Sequence, residues 1–164
     1  MAAFKTSFQF SDTKEIDMKK WFLTLTALVC LMALAVPAWA TQNNSQNILI
    51  KVGSGTNDLH PPFMAFKIGK LLLEKNQEVT VFLNLEAVRL ADKGQPLNLK
   101  WGTGRKDLLD LFEGFVQKGG KIVICPHCAK AAGVKQENLR SGAIFGNEAI
   151  MADLFLRADK VIDY

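Results

Sequence analysis

Ile48-Leu49-Ile50-Lys51-Val52 is an almost unbroken apolar run that halts at Gly53-Ser54-Gly55. A strand with one wet face would alternate apolar and polar residues, so this run predicts a strand covered on both faces, as inside a parallel sheet. The chain downstream repeats the theme. Residues 78–83 (Glu-Val-Thr-Val-Phe-Leu) predict a second strand, Ile122-Val123-Ile124 a third, residues 139–145 a short fourth, and Val161-Ile162 a last. Helical patterns separate them. Pro61-Pro62 opens one whose stripe is Phe63, Phe66, Ile68 and Leu71 to Leu73, ending near Lys75-Asn76. Residues 86–90 give a short helical piece, and residues 106–117 carry Leu108, Leu109, Phe112 and Val116 before Gly119-Gly120 ends the helix. Residues 147–157 supply another amphipathic pattern. Strands that alternate with helices predict an α/β fold, a flavodoxin-like three-layer domain with a mainly parallel sheet of about five strands. Residues 91–104 are polar and rich in Gly and Pro, hence a long loop, in which Trp101 is expected to cap an edge of the core.

Upstream of this domain the chain reads differently. From Met18, Lys19-Lys20 precede an apolar stretch over residues 21–36 and then Pro37-Ala38-Trp39-Ala40. A charged start, an apolar middle and a small-x-small ending make a cleavable secretory signal, with cleavage expected after Ala40. The stretch falls short of the roughly 18 apolar residues of a spanning helix, so no stable membrane anchor is expected after cleavage. Cys30 lies deep in the apolar run behind Leu28-Val29 and leaves with the signal. Residues 1–17 read as a misassigned upstream start, residues 18–40 as the signal peptide, residues 41–47 as a loose tail and residues 48–164 as the domain. The expected location is periplasmic or secreted.

Charge excludes one class of partner. The chain carries 20 basic and 16 acidic residues, and removing residues 1–40 takes away Lys5, Lys14, Lys19, Lys20, Asp12, Glu15 and Asp17, leaving 16 and 13. A net charge near +3, with basic and acidic residues interleaved as in Arg105-Lys106-Asp107, describes a solvated surface, so no nucleic acid partner is expected.

In a sheet of this kind reactive groups collect beyond the carboxyl ends of the strands. That rule draws together the loops over residues 53–61, 84–86 and 125–128, and names Gly53, Ser54, Asn57, His60, Asn84 and Glu86 as residues lining one cleft. The third loop is Cys125-Pro126-His127-Cys128, where a strand hands over to a helix. Pro126 suits the first helical position, so Cys125 falls at the cap, where unpaired N–H groups and the positive end of the helix favour a thiolate. Cys125 is therefore the expected nucleophile. Cys128 follows about one turn later on the same face, close enough to form a disulfide with Cys125 or to resolve a bond between it and a substrate. His127 is placed to lower the thiolate energy or to face solvent. A structural zinc site wants four ligands, and this region offers two cysteines with His127 badly placed between them, so neither a metal nor another cofactor is expected.

The tetrapeptide also resembles the active site of exported thioredoxin-fold oxidants of the DsbA type, but a thioredoxin fold carries its pair after an early strand and needs a later proline, and no proline follows Pro126. A different resemblance spans the domain. Ile48 to Val52, residues 78–84 followed by Gly94, Val123 to Cys128 with Gly133, and Ala158-Asp159-Lys160-Val161-Ile162 together resemble the DsrE/DsrF-like family, including its YchN-like and sulfur-relay members. The resemblance implies a flavodoxin-like sheet, a homo-oligomer (trimer or hexamer), and a persulfide on the cysteine eight residues before the glycine, which falls on Cys125. The expected partners are a small sulfur compound or a thiol partner protein. Three functions follow: a sulfur carrier with Cys125 as nucleophile and Cys128 as resolving residue, a dithiol/disulfide oxidoreductase, or a non-catalytic oligomer that binds a small molecule. In the last, Gly53-Ser54-Gly55 would serve as an anion-binding turn, although it lacks the third glycine of a dinucleotide fingerprint.

Overall fold

A computed structural model of the protein describes residues 45–164. The expected upstream start and signal peptide, and residues 41–44 of the expected tail, lie outside the described residues. Five strands, β1 (Asn47–Val52), β2 (Glu78–Leu83), β3 (Lys121–Ile124), β4 (Ala143–Phe145) and β5 (Lys160–Asp163), form one sheet in the order β4-β3-β2-β1-β5. Every neighbouring pair is parallel.

Parallel neighbours need crossover connections, and right-handed crossovers decide which face each helix takes. From β1 to β4 the sheet grows in one direction, through α1 (His60–Leu73), a 3-10 helix (Leu85–Ala91) with α2 (Leu108–Gln117), and α3 (Pro126–Ala132). All three α-helices therefore fall on one face. The last connection, α4 (Glu148–Leu156), runs back across the sheet to β5 beside β1 and so takes the opposite face.

The core follows this plan. Ile48, Ile50, Val52, Val79, Val81, Leu83, Ile122 and Ile124 pack with Phe63, Phe66, Phe112 and Phe115 into the main cluster. The alternate residues Leu49, Phe82 and Val123 face the other way and meet Ile150, Met151 and Leu154. The second face is thinly covered: no residue of α4 is buried, and Phe155, Leu156 and Val161 remain 46%, 84% and 53% exposed.

Two local features fix the helices of the main face. Asp107 caps α2 by accepting from the Asp110 amide at 2.9 Å while the Asp110 carboxylate accepts from the Asp107 amide at 3.3 Å, a reciprocal capping box. Gly69 lets α1 approach α2: a Cβ there would stand 2.8 Å from Cε2 of Phe115. The loop before α2 is tied down by Leu108 N–H donating to Leu99 O at 2.9 Å and Lys93 N–H to Asn138 O at 2.8 Å. From this loop Trp101 lies over the start of α1, its ring centroid 4.6 Å from that of His60 and 6.4 Å from that of Phe63.

Candidate functional site

The ladder of the sheet extends one residue past the strands. Gly53 N–H donates to Tyr164 O at 3.0 Å, Asn84 N–H to Val52 O at 3.0 Å, Cys125 N–H to Leu83 O at 2.9 Å and Gly146 N–H to Ile124 O at 2.9 Å. Gly53, Asn84, Cys125 and Gly146 thus stand in one row at the carboxyl edge. Here the chain leaves β3 toward one face and β4 toward the other, which opens a crevice in a parallel sheet. Cys125 stands at that divide and packs against both apolar clusters while staying partly exposed.

Cys125 is the cap of α3, with extended backbone (φ −63°, ψ 119°), Pro126 follows in the first turn, and Gly133 at φ 73° closes the helix. The sulfur of Cys125 makes no capping hydrogen bond to the first turn, contrary to the expectation that these donors hold it. Cys128, three residues on in the first turn of the same helix, is near enough for the two thiols to influence each other. Burial, then the hydrogen bond to Cys125, push the Cys128 thiol above the ordinary cysteine range, while the backbone N–H of Leu85 pulls the other way. Cys128 therefore holds its proton more firmly than an ordinary cysteine. Both cysteines are free.

The neighbouring loops meet at this point. Gly55 packs so closely on the 3-10 helix that a Cβ would stand 2.8 Å from Glu86 O, and Gly53 lies against Asn84 and Leu85. Glu86 pairs with Arg89 at 3.1 Å, and the two line a hollow of about 260 Å³ with Leu85, Cys128, Ala131 and Ala132. A larger hollow of about 420 Å³ lies at the opposite, amino end of the strands among Asn47, Glu78, Lys121 and Arg157; it holds no cysteine, so the smaller one is the chemically relevant space. Among the described residues no group of three or more His, Cys, Asp or Glu side chains is placed to hold a metal.

A family model described as the DsrE/DsrF-like family matches residues 46–164. The chain belongs to the DsrE/DsrF-like family. Its structure is similar to that of the YchN protein of E. coli at 22% identity and TM-score 0.60, covering 73% of this chain and 99% of that one. It is also similar to a protein of unknown function, MTH1491, of Methanobacterium thermoautotrophicum, at 9% identity and TM-score 0.54, covering 73% of this chain and all of that one. Both likenesses concern the fold. The uncharacterised protein MJ0760 of Methanocaldococcus jannaschii is 30% identical over 89 residues, 54% of this chain, and the match spans about a third of that relative's length (32%).

Within this DsrE/DsrF-like domain the residues named from sequence fall into two groups. Cys125, Pro126, Cys128, Gly53, Asn84 and Glu86 lie along the carboxyl edge described above. Asn57 serves its own loop, its Oδ1 accepting from Gly55 N–H at 2.8 Å, and His60 pairs with Trp101 rather than with a sulfur. Ser54 is half-buried, and His127 is exposed, with no histidine among the groups acting on Cys128. Sequence reading missed Leu85, a bulky residue held at φ 45° whose amide reaches Cys128. No composition signal marks a leucine for the left-handed region, where it costs about 1–2 kcal/mol.

Proposed function

We propose that this DsrE/DsrF-like protein carries sulfane sulfur on Cys125, with Cys128 as the resolving thiol. The observation that supports the reading is a pair of free, partly exposed cysteines three residues apart at the start of α3, at the crevice beyond β3. The Cys125 thiolate attacks the outer sulfur of a donor such as thiosulfate or polysulfide; the donor's S–S bond breaks and its leaving group departs with the electron pair. Cys128, once deprotonated, then attacks Sγ of Cys125, expels hydrosulfide and closes a Cys125–Cys128 disulfide, which a thiol partner reduces. Intact-mass measurement after incubation with thiosulfate or polysulfide tests this. Sulfur should add to wild type and to Cys128→Ser, persisting longer in the latter, and not to Cys125→Ser; no addition to wild type from any donor would end the proposal.

The same pair of thiols favours a second reading, a dithiol/disulfide oxidoreductase. A reduction potential below about −300 mV would mark a structural disulfide and count against it. The protein works outside the cytoplasm after loss of residues 18–40, and as a homo-oligomer, trimer or hexamer, with the apolar surface of Phe155, Leu156 and Val161 supporting assembly. The mass of the protein recovered from its native compartment tests the cleavage, and light scattering tests the assembly.

A further inference from the structure

Asn84 is the neighbour of Cys125 in the row at the carboxyl edge. Adjacent strands stand about 4.8 Å apart, and matching positions of a parallel pair send their side chains to the same face. Asn84 is also the cap residue of the 3-10 helix Leu85–Ala91, with extended backbone (φ −127°, ψ 178°). An asparagine there ordinarily accepts a first-turn N–H. This one makes no such bond: Leu85 follows at φ 45°, and the Ala87 N–H donates to the backbone oxygens of Gly53 and Asn84. Among the described residues Asn84 Oδ1 is buried with no partner. A buried amide oxygen left unpaired costs stability, and here it means that nothing on the oxygen's side ties the carboxamide down. Gly53 leaves the carboxamide room to move: Oδ1 lies 3.6 Å from where a Cβ on Gly53 would stand. Turning the side chain breaks no hydrogen bond of Oδ1.

We propose that Asn84 holds the sulfur that Cys125 carries, its carboxamide N–H donating to the terminal sulfur of a Cys125 persulfide. This rests on the sulfur-carrier reading above. With thiosulfate as donor, a bond forms between Cys125 Sγ and the outer sulfur, the S–S bond of thiosulfate breaks, and sulfite leaves with the electron pair. One negative charge stays on the terminal sulfur, about 2.05 Å beyond Sγ. An anion at that place needs an N–H donor, and Asn84, just past the end of the neighbouring strand, is the residue of the row whose side chain carries one; with Oδ1 unpaired, turning it toward the sulfur gives up no bond on the oxygen's side.

The test loads full-length wild type, Asn84→Ala and Asn84→Asp with thiosulfate, then follows sulfur on Cys125 by intact mass and its removal by cyanide as thiocyanate. The loss of one hydrogen bond to an anion predicts removal about tenfold faster in Asn84→Ala. Asn84→Asp, isosteric but an acceptor, should lose sulfur at least as fast near neutral pH and regain retention as acid protonates the carboxyl. The melting temperature of Asn84→Ala should stay level or rise, because an unpaired buried acceptor is removed. Equal removal rates in wild type and Asn84→Ala would overturn the assignment while the carrier reading stands. A lower melting temperature with unchanged removal would also overturn it, by showing a structural role. No sulfur on wild type would bring down the carrier reading itself, and this assignment with it.

Discussion

Replacing Gly69 by alanine sets two effects of known size against each other. In an exposed helix interior the change is stabilising by about 0.8–1.0 kcal/mol, since glycine is a poor helix former. Gly69 is buried in α1, and the added methyl would stand 2.8 Å from Cε2 and 3.2 Å from Cδ2 of Phe115, and 3.4 Å from Cδ1 of Ile50. Phe115 has no escape: it is fully buried, its ring centroid is 5.8 Å from that of Phe66, and Gly120 presses on its far edge. Forcing an extra methyl into such packing costs about 1–3 kcal/mol, so steric strain outweighs propensity and the net effect is destabilising by roughly 1 kcal/mol. For a domain of this size that lowers the melting temperature by about 4 °C. Thermal and urea unfolding measure it. Adding Phe115→Leu should make the two changes less harmful together than their sum. A Gly69→Ala protein that melts higher than wild type, or strictly additive costs in the double variant, would refute the close contact between α1 and α2.

Three more outcomes follow from the structure. Asp107→Ala removes the capping box of α2 and should cost about 1 kcal/mol, read as a shifted urea midpoint with an unchanged slope. Site-resolved alkylation of the wild-type protein should label Cys128 with a midpoint on the alkaline side of a free cysteine, because burial and Cys125 raise it; in linkage terms its share of stability is present at low pH and fades as pH climbs through its folded value. A midpoint on the acid side would contradict the geometry. Leu85→Val should lower the melting temperature more than Leu85→Gly does, since a β-branched residue tolerates φ 45° least and glycine tolerates it best.

The central strands were legible because they are apolar on both faces, and they lie where the pattern places them, with β1 starting one residue earlier, at Asn47; the edge strand expected over residues 139–145 is shorter, Ala143–Phe145, because residues 139–142 turn rather than pair with β3. The order of the sheet was not legible. Local patterning carries no record that β5 returns to the flank of β1, and the apolar residues of the second face are the same whether a helix or another surface covers them. The cysteine pair was visible because a strand, a proline and a glycine bracket it. The surroundings were harder to read: the partner of His60 depends on the path of the loop that brings Trp101 over α1, and the unpaired Asn84 oxygen stands beside a left-handed leucine that no local pattern announces. Such facts arise from tertiary geometry, which neither period nor spacing encodes.

The place of β5 beside β1 also sets a schedule for folding. Asn47 is tied to Asp159 across 112 residues, so the strand at the heart of the early chain keeps an open flank until residues 160–163 have been made. An interrupted chain would offer that bare flank to any extended segment nearby. Closing so distant a pairing is slow, and a chain kept extended until its far end is available would avoid the hazard.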